Sequence, residues 1–196
     1  MILALLLCLV AQDTVPAGFG TLRRDDIVAR FSTGALEIQV LPLDEQVIRL
    51  LAPDTYRSLA QLVRSRASDV AAAAGRGGGG GATENPTLVM VTFLGVVPGA
   101  RFNPEELNIT SRGRLFRPIG MVPLSPTWNS YQLDARQQAA AIYLFESGIS
   151  VREQLTVSYQ GLSSDAWTRS LRLLDQERAR VRARAQLEAK RDSGAP

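Results

Sequence analysis

From Leu88 to Tyr159 the apolar residues of this chain arrive in short runs of strand length, each closed by Gly, Pro, Asn or Ser. Leu88-Val-Met-Val-Thr-Phe-Leu94 is apolar on both faces, as in a strand at the centre of a covered sheet. Leu107 and Ile109 alternate with Asn108 and Thr110, and Leu155, Val157 and Tyr159 alternate with Thr156 and Ser158, the pattern of half-buried strands. Ala139 to Phe145 is a further β-rich run. Turn residues at this spacing predict a small antiparallel sandwich.

Residues 86–160 supply about five such segments, against about seven strands in an immunoglobulin-type sandwich. The missing strands are expected upstream, at Ile27-Val-Ala-Arg-Phe31 and Leu36-Glu-Ile-Gln-Val40. Residues 43–75 then form an excursion between strands. Asp44 is a good N-cap for Val47, Leu50 and Leu51 at helical spacing, and Pro53 breaks the run so that a second helix begins near Asp54. Tyr56, Leu59, Leu62 and Val63 would be the buried stripe of that helix. A strand hairpin through Gln46-Val-Ile-Arg-Leu-Leu51 is the competing local assignment. The glycine-rich run at 76–82 reads as a linker, because it leads into a strand and lacks the Lys-Ser or Lys-Thr and following helix of a phosphate cradle.

The order of strand Glu106-Leu-Asn-Ile-Thr110, turn Ser111-Arg-Gly113, stretch Arg114-Leu-Phe-Arg-Pro-Ile119, a polar break and the run Ala139–Phe145 resembles the telokin-like, immunoglobulin-like sandwich of exported bacterial proteins. The likeness covers about residues 86–160 and lies in the succession of strands. It implies a binding or scaffolding module of the cell envelope and carries over no functional residues.

Export is also the reading of the N-terminus. Met1 to Val10 is unbroken apolar sequence, followed by the small-residue segment Val15-Pro16-Ala17-Gly18, so residues 1–17 are expected to be a signal peptide. The run is shorter than the roughly 20 residues that a bilayer span requires. Cys8 lies inside it with Leu7 before it, where a lipoprotein signal wants a small residue, so a lipid anchor is not expected.

The same residue inventory strikes out much chemistry. The chain has no histidine and its one cysteine is Cys8, so Ser-His-Asp and Cys-His arrangements are impossible. Lys190 is the sole lysine and lies in the polar tail. Asp25-Asp26, Asp44-Glu45 and Glu105-Glu106 are neighbours in sequence, read as solvated turn charges and not as acid–base pairs. No calcium-loop spacing is present. Asn108-Ile109-Thr110 spells a glycosylation triplet inside an expected strand and is read as chance. No enzyme activity, cofactor or metal is therefore expected.

Two features keep functional interest. Arg112, Arg114, Phe116 and Arg117 project from one strand and its turn, either as an anion-binding patch or as charges that guard a sheet edge. Residues 163–196 form the second, with Ser164 as N-cap, Trp167, Leu171, Leu174, Val181 and Ala185 near one stripe, and Arg178-Ala-Arg-Val-Arg-Ala-Arg184 beyond. The first half of this helix can dock on the sandwich. Arg178, Arg180, Arg182 and Arg184 are too closely spaced to be buried and are expected in solvent.

Taken together these readings predict a mainly β chain, an immunoglobulin-like antiparallel sandwich over 24–162 with a helical insertion and a C-terminal helix. Its expected role is to bind a protein partner in the cell envelope, through Arg112–Arg117 or the basic helix. Two other roles stay open: contact with an anionic surface or nucleic acid through that helix, of which nucleic acid is the less favoured, and inhibitor-like or chaperone-like binding through loops or an edge strand.

Overall fold

The computed structural model describes residues 18–76 and 85–193. The expected signal segment, Cys8 and nearly all of the glycine-rich linker lie outside the described residues. What is described is a mixed α/β fold built on antiparallel sheets, with five α-helices among those residues.

The longest apolar run becomes β3 (Thr87–Gly95), and its two-sided apolarity is explained by its place at the centre of a five-stranded sheet. On one side it pairs with β2 (Leu36–Pro42), which in turn pairs with β1 (Ala29–Ser32). On the other it pairs with β9 (Gln138–Phe145), and β9 pairs with β7 (Pro118–Pro123). The register sets Val91 beside Val40 and Ala141, and Phe93 beside Ile38 and Ala139, so alternate residues of three strands share one apolar face.

A second sheet of four short strands runs β11-β10-β5-β6, from β5 (Asn108–Ser111), β6 (Arg114–Phe116), β10 (Leu155–Tyr159) and β11 (Leu162–Ser164). Ile109, Val157 and Tyr159 are buried, while Asn108, Thr110, Thr156 and Ser158 are partly exposed, as their alternation predicts. A third pair joins β4 (Ala100–Arg101) to β8 (Gln132–Leu133).

The two larger sheets meet through an aromatic layer. Phe93 of β3 lies 5.5 Å, ring centre to ring centre, from Tyr159 of β10, and Phe102 and Trp128 complete the cluster at 4.9 and 6.0 Å from Phe93. Two phenols from different sheets clamp the same loop: Tyr143 Oη donates to the Pro104 carbonyl at 2.9 Å, and Tyr159 Oη accepts from Asn103 N–H at 2.8 Å. Burial pushes the Tyr143 phenol well above its ordinary pKa, with Tyr159 adding to the shift, so the hydroxyl stays a donor.

The upstream segment departs from the expected continuous strand. Residues 24–27 form a single helical turn, α1 (Arg24–Ile27), because Asp26 accepts from Arg23 N–H at 2.8 Å and closes the turn before β1 begins. The excursion is helical as expected. Asp44 accepts from Gln46 N–H at 2.8 Å and caps α2 (Glu45–Ile48), which disposes of the strand-hairpin alternative. Pro53 is the first residue of α3 (Pro53–Ser65), where its missing N–H costs nothing, and α4 (Ala67–Arg76) follows directly. Helix α4 lies on β7 at Gly120, where a β-carbon would stand 3.1 Å from the Ala73 carbonyl oxygen.

The stretch Arg114–Ile119, read as one unit in the sequence, is divided between sheets. β6 belongs to the small sheet and β7 to the large one, with the crossing at Arg117. Strand β7 was not legible because Pro118 and Pro123 bound it; as an edge strand it tolerates both. Helix α5 (Trp167–Ser193) starts later than its expected N-cap suggests, since Ser164 still belongs to β11.

Truncating the residue at the centre of the aromatic layer, Phe93→Ala, should cost about 3–5 kcal/mol of stability in urea unfolding, the range for a large buried ring. A loss below about 1 kcal/mol would mean that the sheets do not depend on this layer.

Candidate interaction surface

The basic turn is held in place by its own acids. Arg112 and Gly113 join β5 to β6 with positive φ at both (52° and 75°), which gives the two-residue hairpin its tight reversal. From there Arg112 makes a two-pronged contact with Glu153, Nη2–Oε1 2.5 Å and Nε–Oε2 2.7 Å. The hydrogen bond from Arg112 holds the Glu153 carboxyl below its ordinary pKa and raises the guanidinium in return. A shallow groove of about 370 Å³ runs beside the pair, lined by Thr110, Arg112, Gly113, Glu153, Gln154 and Thr156. Arg114 pairs with Glu146 and lies 4.7 Å over the Phe116 ring. Phe116 itself is buried. Of this expected patch only Arg117 is exposed with no ion pair among the described residues.

The other expected arginines also divide. Arg178 pairs with Asp175 at 2.6 Å and keeps only 14% of its side chain exposed. Arg184 reaches Glu177 at 3.4 Å and donates to the Phe19 carbonyl at 2.7 Å. Arg180 approaches Glu177 from outside at 3.4 Å and stays 66% exposed. Arg182 is exposed without an ion pair among the described side chains. The expectation that this arginine run lies wholly in solvent is therefore corrected for Arg178 and Arg184: both lie at the flank of the docked face, where a carboxylate and a carbonyl receive them.

Glu177 was not singled out by sequence reasoning, and it organises this end of the molecule. It has no exposed surface. One carboxylate oxygen accepts from Thr21 N–H at 2.9 Å and Thr21 Oγ1 at 3.0 Å. The N-terminal segment so held is wedged on its other side against the turn after α2, with Gly20 N–H donating to the Arg49 carbonyl at 2.8 Å and Leu22 bridged to Leu51. Gly20 is required there, since a β-carbon would fall 1.8 Å from the Leu50 carbonyl oxygen. Phe19 packs edge-on against Tyr56 of α3 at 4.9 Å. The signal in the sequence was phase: Glu177 falls three residues after Leu174 and four before Val181, on the apolar stripe itself.

With the inner face so occupied, the charges of α5 are segregated. Arg169, Arg172, Gln176, Arg180, Ala183, Lys190 and Arg191 are exposed, with Leu173 and Leu187 among them at 40% and 59%. At 100° per residue these positions fall within one side of the helix, whereas Glu177 and Glu188 fall on the opposite half with Trp167, Leu174 and Val181, and exposed Asp175 stands between the two, paired with Arg178. The expected carboxylate pairs have structural occupations: Asp26 and Asp44 cap helices, Asp25 pairs with Arg30, and Glu45 binds Arg49 and Tyr56.

In comparisons with known proteins, no family model, curated protein or solved structure matches this chain.

Because Arg112 lowers the pKa of Glu153, the stability from that pair is present above the unfolded-state pKa of a glutamate and lost as pH falls through the lower folded value. A carbon-detected NMR titration should therefore place the Glu153 midpoint below the ordinary glutamate range, and Arg112→Ala should return it there. An ordinary midpoint in the unsubstituted protein would contradict the contact.

Proposed function

We propose that this chain is an exported, non-enzymatic module of the cell envelope that works by presenting a fixed basic surface, the outer face of α5, to an acidic partner. The observation that carries the reading is the segregation of charge on α5: five cations share one exposed arc, Arg180 among them bridged to buried Glu177, while the exposed acid Asp175 stands off that arc and is paired with Arg178. A helix so docked holds its cations in a fixed pattern, which favours complementarity over a loose tail.

Other parts of the reading rest on the residues. A chain with no histidine and one cysteine, inside the apolar leader, lacks the usual nucleophiles and bases, which supports a binding role. Export rests on the apolar run Met1–Val10 and the small residues before Gly18. The aromatic layer between two antiparallel sheets supports an immunoglobulin-like sandwich as the rigid platform. Addition of a partner strand at a sheet edge has less in its favour, since β1, β6 and β11 have three or four residues and β7 carries a proline at each end.

The test uses charge reversal, because truncation after Gln176 would remove Glu177 and with it the docking of the helix. Arg172→Glu/Lys190→Glu/Arg191→Glu changes three exposed residues with no ion pair among the described side chains. Arg64→Glu/Arg76→Glu/Arg101→Glu makes the same change in net charge on α3, α4 and β4. Incubated with the envelope fraction of the native host and crosslinked, the first variant should lose association and the second keep it. Equal association of both variants would refute the reading.

A further inference from the structure

We infer that the acidic partner of α5 is the anionic surface of a lipid bilayer, on which the helix lies with its outer face down. This inference rests on the proposed basic-face function and names the partner of that same surface.

The first argument is the composition of the face. Arg169, Arg172, Arg180, Lys190 and Arg191 surround two exposed leucines, Leu173 and Leu187, whose side chains point the same way. The leucines are 14 residues apart, about 21 Å along the helix. Cations flanking sparse, well-separated apolar residues suit a plane of anionic headgroups, where each leucine enters the interface and each arginine meets phosphate. A helical protein partner would ask for a closer apolar seam, with contacts every three or four residues. A second copy of the chain would set cation against cation.

The second argument is where the leader joins the body. Thr21 is bonded to Glu177 and Phe19 to Arg184, one helical turn pair further on, so the segment runs antiparallel to α5. Phe19 and Thr21 thus lie along the docked flank of α5, at Arg184 and Glu177, and the described chain begins at Gly18. Only the eight residues Ala11–Gly18 separate the last apolar leader residue, Val10, from docked Phe19. That is at most about 30 Å of extended chain. Until a signal peptide is removed, it tethers the body within that distance of the membrane it enters. No described helix is long and apolar enough to cross a membrane itself.

Stable attachment at a bilayer surface takes two signals, such as an apolar segment and a basic patch. On α5 the exposed Leu173 and Leu187 are the apolar element and the five cations the basic patch. Each cation near an anionic leaflet strengthens binding roughly fivefold, and the attraction decays with salt.

The experiment is vesicle co-sedimentation of the full chain, with 30% phosphatidylglycerol in phosphatidylcholine against phosphatidylcholine alone. Circular dichroism of each variant verifies the helix. Binding should be at least about tenfold tighter to the anionic vesicles and should weaken steeply between 0.05 and 0.5 M salt, a range chosen to screen exposed charge. Arg172→Glu/Lys190→Glu/Arg191→Glu should lower anionic-vesicle affinity about 100-fold, and Arg64→Glu/Arg76→Glu/Arg101→Glu less than about threefold. Equal binding to both vesicle types, or equal loss in both variants, would overturn the inference. Absence of vesicle binding together with face-dependent crosslinking in the envelope fraction would overturn it in favour of an acidic protein, leaving the basic-face function standing. Absence of both would remove both.

Discussion

The position of helix α5 depends on one buried carboxylate. Glu177 has no exposed surface, and a carboxylate taken from water is costly unless its oxygens are fully bonded. Here the bonds come from a segment 156 residues away in sequence, through both the N–H and the hydroxyl of Thr21, and from Arg180 and Arg184 on the helix itself. Removing one partner of such a group is worth about 3–5 kcal/mol, far more than an exposed ion pair. The same contact thus does two things. It stitches the N-terminal segment into the fold, and it fixes which side of α5 faces outward.

From that fixed orientation follows the sorting of the arginines. Those on the docked flanks of α5 have structural partners: Arg178 on Asp175, Arg184 on Glu177 and the Phe19 carbonyl. Those pointing away are unpaired or held from outside. A chain in which nearly every cation is arginine could have spread its charge evenly, but on α5 the arc that holds Arg169, Arg172, Arg180, Lys190 and Arg191 carries no acid, the exposed Asp175 standing beside it on Arg178. The aromatic layer does the corresponding work for the sheets, where Phe93 and Tyr159 join them and two tyrosine hydroxyls hold the loop at Asn103 and Pro104.

Local signals carried much of this architecture. The two-sided apolarity of Leu88–Leu94 marked a central strand, alternation marked β2, β5 and β10, and Asp44 and Pro53 marked the starts of α2 and α3. What stayed hidden depends on partners distant in sequence. A β-strand bounded by prolines is legible only once it is known to be an edge, as β7 is. Ile27 looked like part of a strand because the capping role of Asp26 outweighs the local β propensity. The arginine run was read by its charge alone. Whether a particular arginine is buried depends on helical phase and on a receiving group, and for Arg184 that group is a backbone carbonyl at Phe19, near the other end of the chain. Glu177 was overlooked for the same reason: an acid on an apolar stripe is an anomaly until its distant donor is known.

The central claim is that α5 is a docked, oriented helix and not a basic tail free in solvent. Hydrogen–deuterium exchange on the full chain tests it most directly, read at the amides of residues 174–185 and compared with those of β3 and β9. The account predicts that the helix amides are protected to nearly the same degree as the sheet, and that Glu177→Gln releases them while the sheet stays protected. Exchange of residues 174–185 at the rate of an isolated helix in the unsubstituted protein, with β3 and β9 protected, would contradict it.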